Sequence, residues 1–129
     1  MTRNLLDTNV VLLAQLDPGR LSGEIKDTIS HGQNLVSVVT YWEVMIKSMK
    51  GKLDVGDPKG WWALSIQKLV ATSLSLTPRH VEFFQGLPSI HSDPFDRILV
   101  AQAMAENLTL VTLDTGIASY ATKKLRVVC

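Results

Sequence analysis

The chain has 129 residues, 46% hydrophobic and 19% charged, a composition that excludes a disordered or fibrous protein and predicts one folded domain over residues 1–129. Thirteen basic and 12 acidic residues give a formal charge of +1, so total charge indicates neither a nucleic-acid nor a membrane partner. The single cysteine, Cys129, excludes a disulfide framework and a cysteine-based zinc site.

Apolar runs such as VVLLA fall far short of the ~20 residues that span a bilayer. The stretch MTRNLLDTN lacks the layout of a signal peptide. We therefore expect a cytoplasmic protein without a membrane partner.

The first half of the chain alternates strand-like and helix-like segments. RNLLD predicts a strand that ends in an acid, and TNVVLLAQL predicts a helix that ends at the DPG turn. A polar amphipathic segment over residues 22–31 is followed by a predicted strand, NLVSVV, and a helix, YWEVMIKSMK, that ends at Gly51.

The same alternation continues in the second half. WWALSIQKLVAT predicts a helix, LSL a short strand, and PRHVEFFQGL a helix opened by Pro78. The helix FDRILVAQAMAEN, the strand LTLVTL, a short helix near residues 116–121 and the strand LRVVC complete the pattern. Such alternation predicts an α/β three-layer sandwich around a mainly parallel sheet, in which ligands bind beyond the carboxyl ends of the strands.

Four acids fall at predicted strand ends or helix starts, and each has a structural explanation of its own. Asp7 is suited to cap a helix, and Glu43 to close a capping box that Thr40 begins. Asp96 lies in a first helical turn, where the helix dipole favours an acid, and Asp114 fits a cap or a turn. Capping alone does not explain why all four should converge on one edge of the sheet.

Several carboxylates within a few Å repel one another and raise pKa values unless cations neutralise them. Mg²⁺ or Mn²⁺ suits such a site, whereas zinc prefers histidine or cysteine. The three histidines, His31, His80 and His91, show no ligand spacing, and His91 is predicted to be a solvated or hydrogen-bonded loop residue. Asp93, followed by Pro94, is predicted to cap the helix that contains Asp96.

Three stretches, LLDTNVVL, VSVVTYWEVMIKSMKGKL and HSDPFDRILVAQAMAENLTLVTLD, resemble the successive motifs of PIN-domain ribonucleases over nearly the whole chain. Among these they are most similar to VapC-type toxins of toxin–antitoxin pairs. The resemblance implies a metal-dependent endoribonuclease that hydrolyses phosphodiester bonds in RNA. It also implies a homodimer and a cognate antitoxin that occupies or covers the acidic site.

By position, the resemblance places one or two divalent ions among four acids. It implies Asp7 and Asp96 as main ligands, Asp114 as a further ligand, and Glu43 as a ligand or an orienter of the attacking water. The third acid of the family directly precedes the RILVAQA helix, which favours Asp96 over Asp93. Leu113 departs from the pattern, because the family often has a polar residue there. The resemblance also implies Thr8 and Thr112 as hydroxyl neighbours of the site.

Several residues near these motifs have two interpretations. Lys47, Lys50 and Lys52 are candidates for contacts with RNA phosphates, although Glu43 and Lys47 also form an i,i+4 ion pair on one helix. Arg97 either balances the acids or binds phosphate. The pairs Trp61–Trp62 and Phe83–Phe84 are typical of core or interface packing rather than of base stacking, and the helices near Trp61 and Leu69 are candidates for an antitoxin groove.

Two other functions fit part of the pattern. A haloacid-dehalogenase-like phosphatase also begins with an aspartate at a strand end, but it needs a second aspartate two residues on, where this chain has Asn9. A module that binds Mg²⁺ in an acidic pocket without nuclease activity is the second alternative. The chain contains no G-x-S-x-G, Walker A or G-x-G-x-x-G motif, which sets other chemistries aside.

Overall fold

Strands and helices alternate in the computed structural model, which describes residues 1–88, 93–118 and 125–129. The strands are β1 (Arg3–Leu6), β2 (Gln33–Ser37), β3 (Ala71–Leu74), β4 (Thr109–Val111) and β5 (Arg126–Val128). The helices are α1 (Thr8–Leu16), α2 (Gly23–His31), α3 (Val38–Met49), α4 (Pro58–Lys68), α5 (Pro78–Gln85), α6 (Pro94–Ala105) and α7 (Thr115–Ala118), with a short 3₁₀ helix at Pro18–Arg20.

The five strands form one sheet in the order β3-β2-β1-β4-β5, and every neighbouring pair is parallel. Along the chain, β2 and then β3 are added on one side of β1, and the chain then crosses to form β4 and β5 on the other side of β1. The strand order therefore reverses beside β1, between β2 and β4. In open parallel sheets this reversal opens a crevice at the carboxyl ends of the strands, where ligands bind.

Two apolar layers cover the sheet, which confirms the predicted three-layer α/β architecture. Leu5 and Leu110 face a cluster that includes Leu99 of α6, whereas their neighbours in sequence face a second cluster that includes Trp61 of α4. This alternation follows from the period of two along a strand. Because both faces are covered, the successive apolar residues Leu5 and Leu6 of β1 and Leu110 and Val111 of β4 are all buried.

Helix α3 begins earlier than the sequence predicts. The run NLVSVV reads as one strand, but β2 ends at Ser37, and the hydroxyl of Ser37 accepts a hydrogen bond from Val39 N at 3.0 Å. Ser37 is therefore the N-cap, and the capping box predicted from Thr40 to Glu43 is wrong. Glu43 lies in the second turn of α3 and faces the interior.

Other boundaries also shift. The third strand lies at residues 71–74 rather than at LSL, residues 74–76. The short helix predicted near residues 116–121 occupies Thr115–Ala118, and its predicted last residues lie outside the described part of the chain, as does His91. Asp93 caps α6 as predicted, with its Oδ1 accepting from Phe95 N at 2.9 Å. Within the described ranges, no helix is both long and apolar enough to cross a bilayer.

Candidate active site

The predicted acids approach the carboxyl edge of the sheet from neighbouring elements. Asp7 directly follows β1, Asp114 follows β4 after two residues, and Glu43 comes from α3, which begins where β2 ends. Asp96 comes from the first turn of α6. We call these four residues, Asp7, Glu43, Asp96 and Asp114, the acid site.

Asp7 is the most deeply placed of the four, with only 2% of its surface exposed. Its backbone N–H donates to Val111 O at 2.9 Å, which continues the pairing of β1 with β4 and fixes the position of the residue. Its Oδ1 accepts from Thr8 N at 2.7 Å, and its Oδ2 accepts from the hydroxyl of Thr112 at 2.7 Å. Asp7 is therefore both the N-cap of α1 and a rigidly oriented carboxylate.

Thr112 connects two of the acids. Its backbone N–H donates to Val128 O at 2.9 Å, which extends the pairing of β4 with β5. Its hydroxyl donates to Asp7 and accepts from Asp114 N at 3.0 Å. Asp114 in turn accepts from Gly116 N through Oδ1 at 2.7 Å, so it also performs the turn role that the sequence predicts.

Glu43 is 4% exposed, and both of its carboxylate oxygens have donors. Oε1 accepts from the hydroxyl of Thr8 at 2.7 Å, and Oε2 accepts from the ammonium of Lys47 at 2.8 Å. The hydroxyl of Thr40 lies 2.9 Å from that of Thr8. Because Thr8 has only one hydroxyl proton and donates it to Glu43, Thr40 is the donor in this pair.

Lys47 connects Glu43 to the start of α6. The pKa of its ammonium is raised, first by the hydrogen bond to Glu43, and partial burial opposes this effect. The negative charges of Asp93 and Asp96 also raise it, which places both aspartates within electrostatic range of Lys47. The predicted i,i+4 ion pair between Glu43 and Lys47 is confirmed. Lys47 therefore places a positive charge among the carboxylates of the acid site.

The pKa of Asp7 is raised above its usual 3.8, and burial is the largest cause. The hydrogen bonds from Thr112 and Thr8 favour the charged form and oppose this effect. The charges of Glu43 and Asp114 add a smaller upward contribution. The repulsion that the sequence predicts is therefore present at Asp7, but desolvation exceeds it.

The donor chemistry of the acid site fits a hard divalent cation. Oxygen ligands alone are what Mg²⁺ and Mn²⁺ prefer, and a divalent cation would compensate the desolvation and repulsion at Asp7. Among the described residues, no three histidine, cysteine, aspartate or glutamate side chains already form a set that could hold a metal ion. Both oxygens of Glu43 contact Thr8 and Lys47 instead.

The other candidate residues separate into packing and surface roles. Arg97 lies over the ring of Phe84 at 4.6 Å, and its Nη2 lies 3.5 Å from Leu87 O, so it packs toward α5. Trp61 is buried in the core, whereas Trp62 stacks on Tyr41 with centroids 4.9 Å apart. Phe83 and Phe84 pack against the core layer. These four aromatic residues therefore pack as predicted.

His80 is fully buried and has a structural role, which the sequence does not reveal. Its Nδ1 accepts from Thr77 N at 3.1 Å, so its Nε2 carries the proton and donates to Glu106 Oε1 at 2.8 Å. This network joins α5 to the end of α6. The sequence also missed Thr40, which it assigned to a cap; its spacing from Glu43 was the available signal.

Comparisons with known proteins identify the family and the fold of the chain. The sequence profile of the PIN domain matches residues 5–123. The chain is 29% identical over 122 residues, covering 93% of each protein, to Ribonuclease VapC22 from Mycobacterium tuberculosis. The chain is also similar in structure to VapBC2 from Rickettsia felis, in a complex with a DNA fragment from the VapBC2 promoter. The TM-score is 0.71 with 15% identity, over 98% of this chain and 97% of that chain.

VapBC-1 from nontypeable Haemophilus influenzae gives a TM-score of 0.67 with 18% identity, over 98% of this chain and 96% of that chain. At such identities the structural comparisons establish the fold alone.

Proposed function

We propose that this chain, which belongs to the PIN-domain family, is a divalent-metal-dependent endoribonuclease and the toxin of a toxin–antitoxin pair. The observation that carries the proposal is the environment of Asp7. It is a buried carboxylate at the strand-order reversal, beside the negative charges of Glu43 and Asp114. The relative named as a ribonuclease, similar over 93% of the chain, supports the same activity.

Nucleases of the PIN-domain family are generally metal-dependent, and Mg²⁺ or Mn²⁺ is the cofactor we propose here. Asp7, Asp96 and Asp114 would hold it, with Glu43 as a further ligand or as the residue that orients water. When bound, a divalent ion supplies Lewis acidity at the phosphate and lowers the pKa of water.

The residues of the chain supply orientation and charge for the hydrolysis. Thr112 and Thr8 N hold the Asp7 carboxylate in one orientation, and the hydroxyl of Thr8 does the same for Glu43. In the reaction, a water oxygen forms a bond to phosphorus while the bond from phosphorus to the leaving ribose oxygen breaks. The water loses a proton and the leaving oxygen gains one. If Glu43 is not a ligand, it would orient the attacking water, because Lys47 and Thr8 hold its carboxylate in one orientation.

The proposal includes two kinds of macromolecular partner besides RNA. Structural neighbours of this chain are VapBC assemblies, one of them bound to promoter DNA, and another is a toxin–antitoxin complex from Klebsiella pneumoniae. By that similarity, we propose a cognate antitoxin that covers the acid site, and a homodimer of this chain. Because its substrate is cellular RNA, we place its action in the cytoplasm.

Incubation of purified, antitoxin-free protein with total RNA tests this function. Cleavage is expected with Mg²⁺ or Mn²⁺ and is expected to stop with EDTA. Asp7→Asn should abolish cleavage, whereas Asp57→Asn is a matched control that changes an exposed acid with a capping role outside the acid site. Equal cleavage with and without EDTA would contradict metal dependence. Metal binding without any cleavage would favour a Mg²⁺-binding module instead.

Growth arrest tests the toxin role separately. Expression of the wild-type chain without an antitoxin should arrest growth, and Asp7→Asn should relieve the arrest. If Asp7→Asn were as toxic as the wild type, the toxicity would not arise at the acid site.

A further inference from the structure

A groove beside the acid site carries a row of lysines. It runs between the C-terminal half of α3 and the start of α6, and Glu43 lies in its wall. Its volume is about 390 Å³, within the range of about 300–1,000 Å³ typical of ligand pockets. The residues that matter here are Glu43, Lys47, Lys50, Lys52, Asp93 and Phe95, and we call this feature the lysine groove.

The end of α3 places Lys52 on this groove. Gly51 has a φ of +69°, and its N–H donates to Ser48 O at 3.1 Å. The N–H of Lys52 donates to Lys47 O at 2.9 Å. This pair of bonds is the Schellman motif, which folds the chain back over the last helical turn. Lys52 therefore stays beside Lys47 and Lys50 although it lies beyond the helix.

Two of the three lysines are available for a ligand. Lys47 is committed to Glu43 at 2.8 Å. Lys50 and Lys52 are exposed, and neither side chain forms an ion pair with another residue in the described part of the chain. The carboxylate of Asp93 caps Phe95 N at the other wall. The groove thus presents, next to Glu43, two lysines that form no ion pair with the described residues.

The helix dipole explains only part of this arrangement. A lysine near the last turn of a helix is favoured by about 0.3–1 kcal/mol, which accounts for Lys47 in the last turn of α3 and for Lys50 at its C-cap. It does not account for Lys52, which follows the helix, or for a groove that leads to Glu43. The apolar side chains of Ile46 and Phe95 line the groove together with the charged residues. Cations flanking apolar surface match the alternation of phosphates with sugars and bases along a nucleic-acid strand.

We infer that Lys50 and Lys52 bind phosphate groups of the RNA strand that enters the acid site, on the Glu43 side of the scissile bond. This inference rests on the proposed function and adds to it the path of the substrate. Lys50 and Lys52 are binding residues that act on the strand beside the reacting phosphate, and they do not contact the reacting atoms.

The test measures the affinity of a fluorescent single-stranded oligoribonucleotide in EDTA, where no cleavage occurs, between 50 and 200 mM salt. Each phosphate contact contributes about 0.7 to the slope of log affinity against log salt for single strands. Lys50→Gln with Lys52→Gln should therefore lower the slope by about 1.4. The advantage of the wild type over this variant should then shrink about sevenfold across that salt range.

Matched variants separate a phosphate contact from a general charge effect. Lys26→Gln with Lys68→Gln removes the same charge from exposed residues outside the lysine groove, and it should keep the wild-type slope. Lys50→Arg with Lys52→Arg should retain binding because the charge remains. Thermal unfolding of each variant checks that the fold is unchanged.

The outcomes distinguish this inference from the proposed function. If the wild type cleaves RNA and the Lys50/Lys52 glutamine variant keeps both its affinity and its slope, the inference is overturned and the proposed function stands. If the glutamine variant and the Lys26/Lys68 control lose affinity equally, the effect is general and the inference is also overturned. If the wild type neither binds nor cleaves RNA, the proposed function fails and the inference fails with it.

Discussion

The hydrogen bond between Thr112 and Asp7 gives the sharpest test of how the acid site is built. Thr112 is fully buried, and its hydroxyl both donates to the Asp7 carboxylate at 2.7 Å and accepts from Asp114 N at 3.0 Å. Thr112→Val keeps the shape of the side chain but removes both hydrogen bonds. We therefore expect the metal-free protein to lose stability at neutral pH.

The magnitude follows from the two bonds. A hydrogen bond to a charged group contributes about 1.5–3 kcal/mol, and a neutral one about 1 kcal/mol, so Thr112→Val should cost about 2.5–4 kcal/mol. For a chain of this size, that loss lowers the thermal midpoint by roughly 8–15 °C. In an Asp7→Asn background the charge is absent but the amide still makes a neutral hydrogen bond of about 1 kcal/mol, so the same substitution should cost about 0.5–2 kcal/mol less.

The assay is urea unfolding of the four proteins of this double-mutant cycle at pH 7 with EDTA. Thr109→Val is a control, because Thr109 is a buried β4 threonine whose hydroxyl makes no hydrogen bond to the other described residues. It should change the free energy of unfolding by less than about 1 kcal/mol. A coupling energy below about 0.5 kcal/mol between Thr112→Val and Asp7→Asn would refute the account of a charged Asp7 held by this hydroxyl.

Three further predictions concern Asp7, the start of α6 and the end of α3. Because burial raises the pKa of Asp7 above 3.8, the folded state binds its proton more tightly than the unfolded chain does. The metal-free wild type should therefore gain stability relative to Asp7→Asn as pH falls from the raised pKa toward 3.8, whereas at neutral pH the cost of burying the charged carboxylate is fully present. Urea unfolding at several pH values measures this difference in free energy. A difference that stays constant with pH would contradict the prediction. Asp93→Asn should keep the helix cap, the thermal midpoint and the cleavage activity. Asp96→Asn should keep the fold but bind Mn²⁺ and cleave RNA at least about tenfold less well. The reverse result would place the site one helical turn away. Gly51→Ala should lower the free energy of unfolding by about 1 kcal/mol or more, because Gly51 has a φ of +69°. Gly23→Ala, at an open helix start, should be neutral or stabilising. Equal effects in chemical unfolding would show that the left-handed turn at Gly51 does not matter.

The alternation of strands and helices could be predicted because period and turn residues are local properties. The order Asp93–Pro94 identified the start of α6, and Gly51 identified the end of α3. The boundary between β2 and α3 could not be predicted in the same way. Valines favour strands, but Val39 and Val44 pack against the two core layers once Ser37 caps the helix. Tertiary packing overrode local propensity there.

The start of β3 was missed for a different reason. Val70 has a φ of +49°, a left-handed conformation that β-branched residues rarely adopt. This turn ends α4 at Lys68 and begins β3 at Ala71, three residues before the predicted strand. Nothing in the residue type of Val70 signals such a turn.

The acid site shows the same division between local and distant information. The residues that follow β1 and β4 could be identified from strand ends, but the contact between Thr112 and Asp7 joins residues 105 positions apart. The resemblance to a family indicated Thr8 and Thr112 as neighbours without assigning their hydrogen bonds. The position of Lys47 within range of Asp93 and Asp96 depends on how α3 packs beside α6, which no local pattern encodes.

The location of a bound Mn²⁺ ion tests the central claim most directly. Anomalous diffraction from crystals of the wild type soaked with Mn²⁺ should show a peak between the carboxylates of Asp7 and Asp96, and crystals of Asp7→Asn treated in the same way should lack it. A Mn²⁺ peak elsewhere on the chain, or an acid site without a peak at saturating Mn²⁺, would contradict the assignment of this edge of the sheet as the metal-dependent active site.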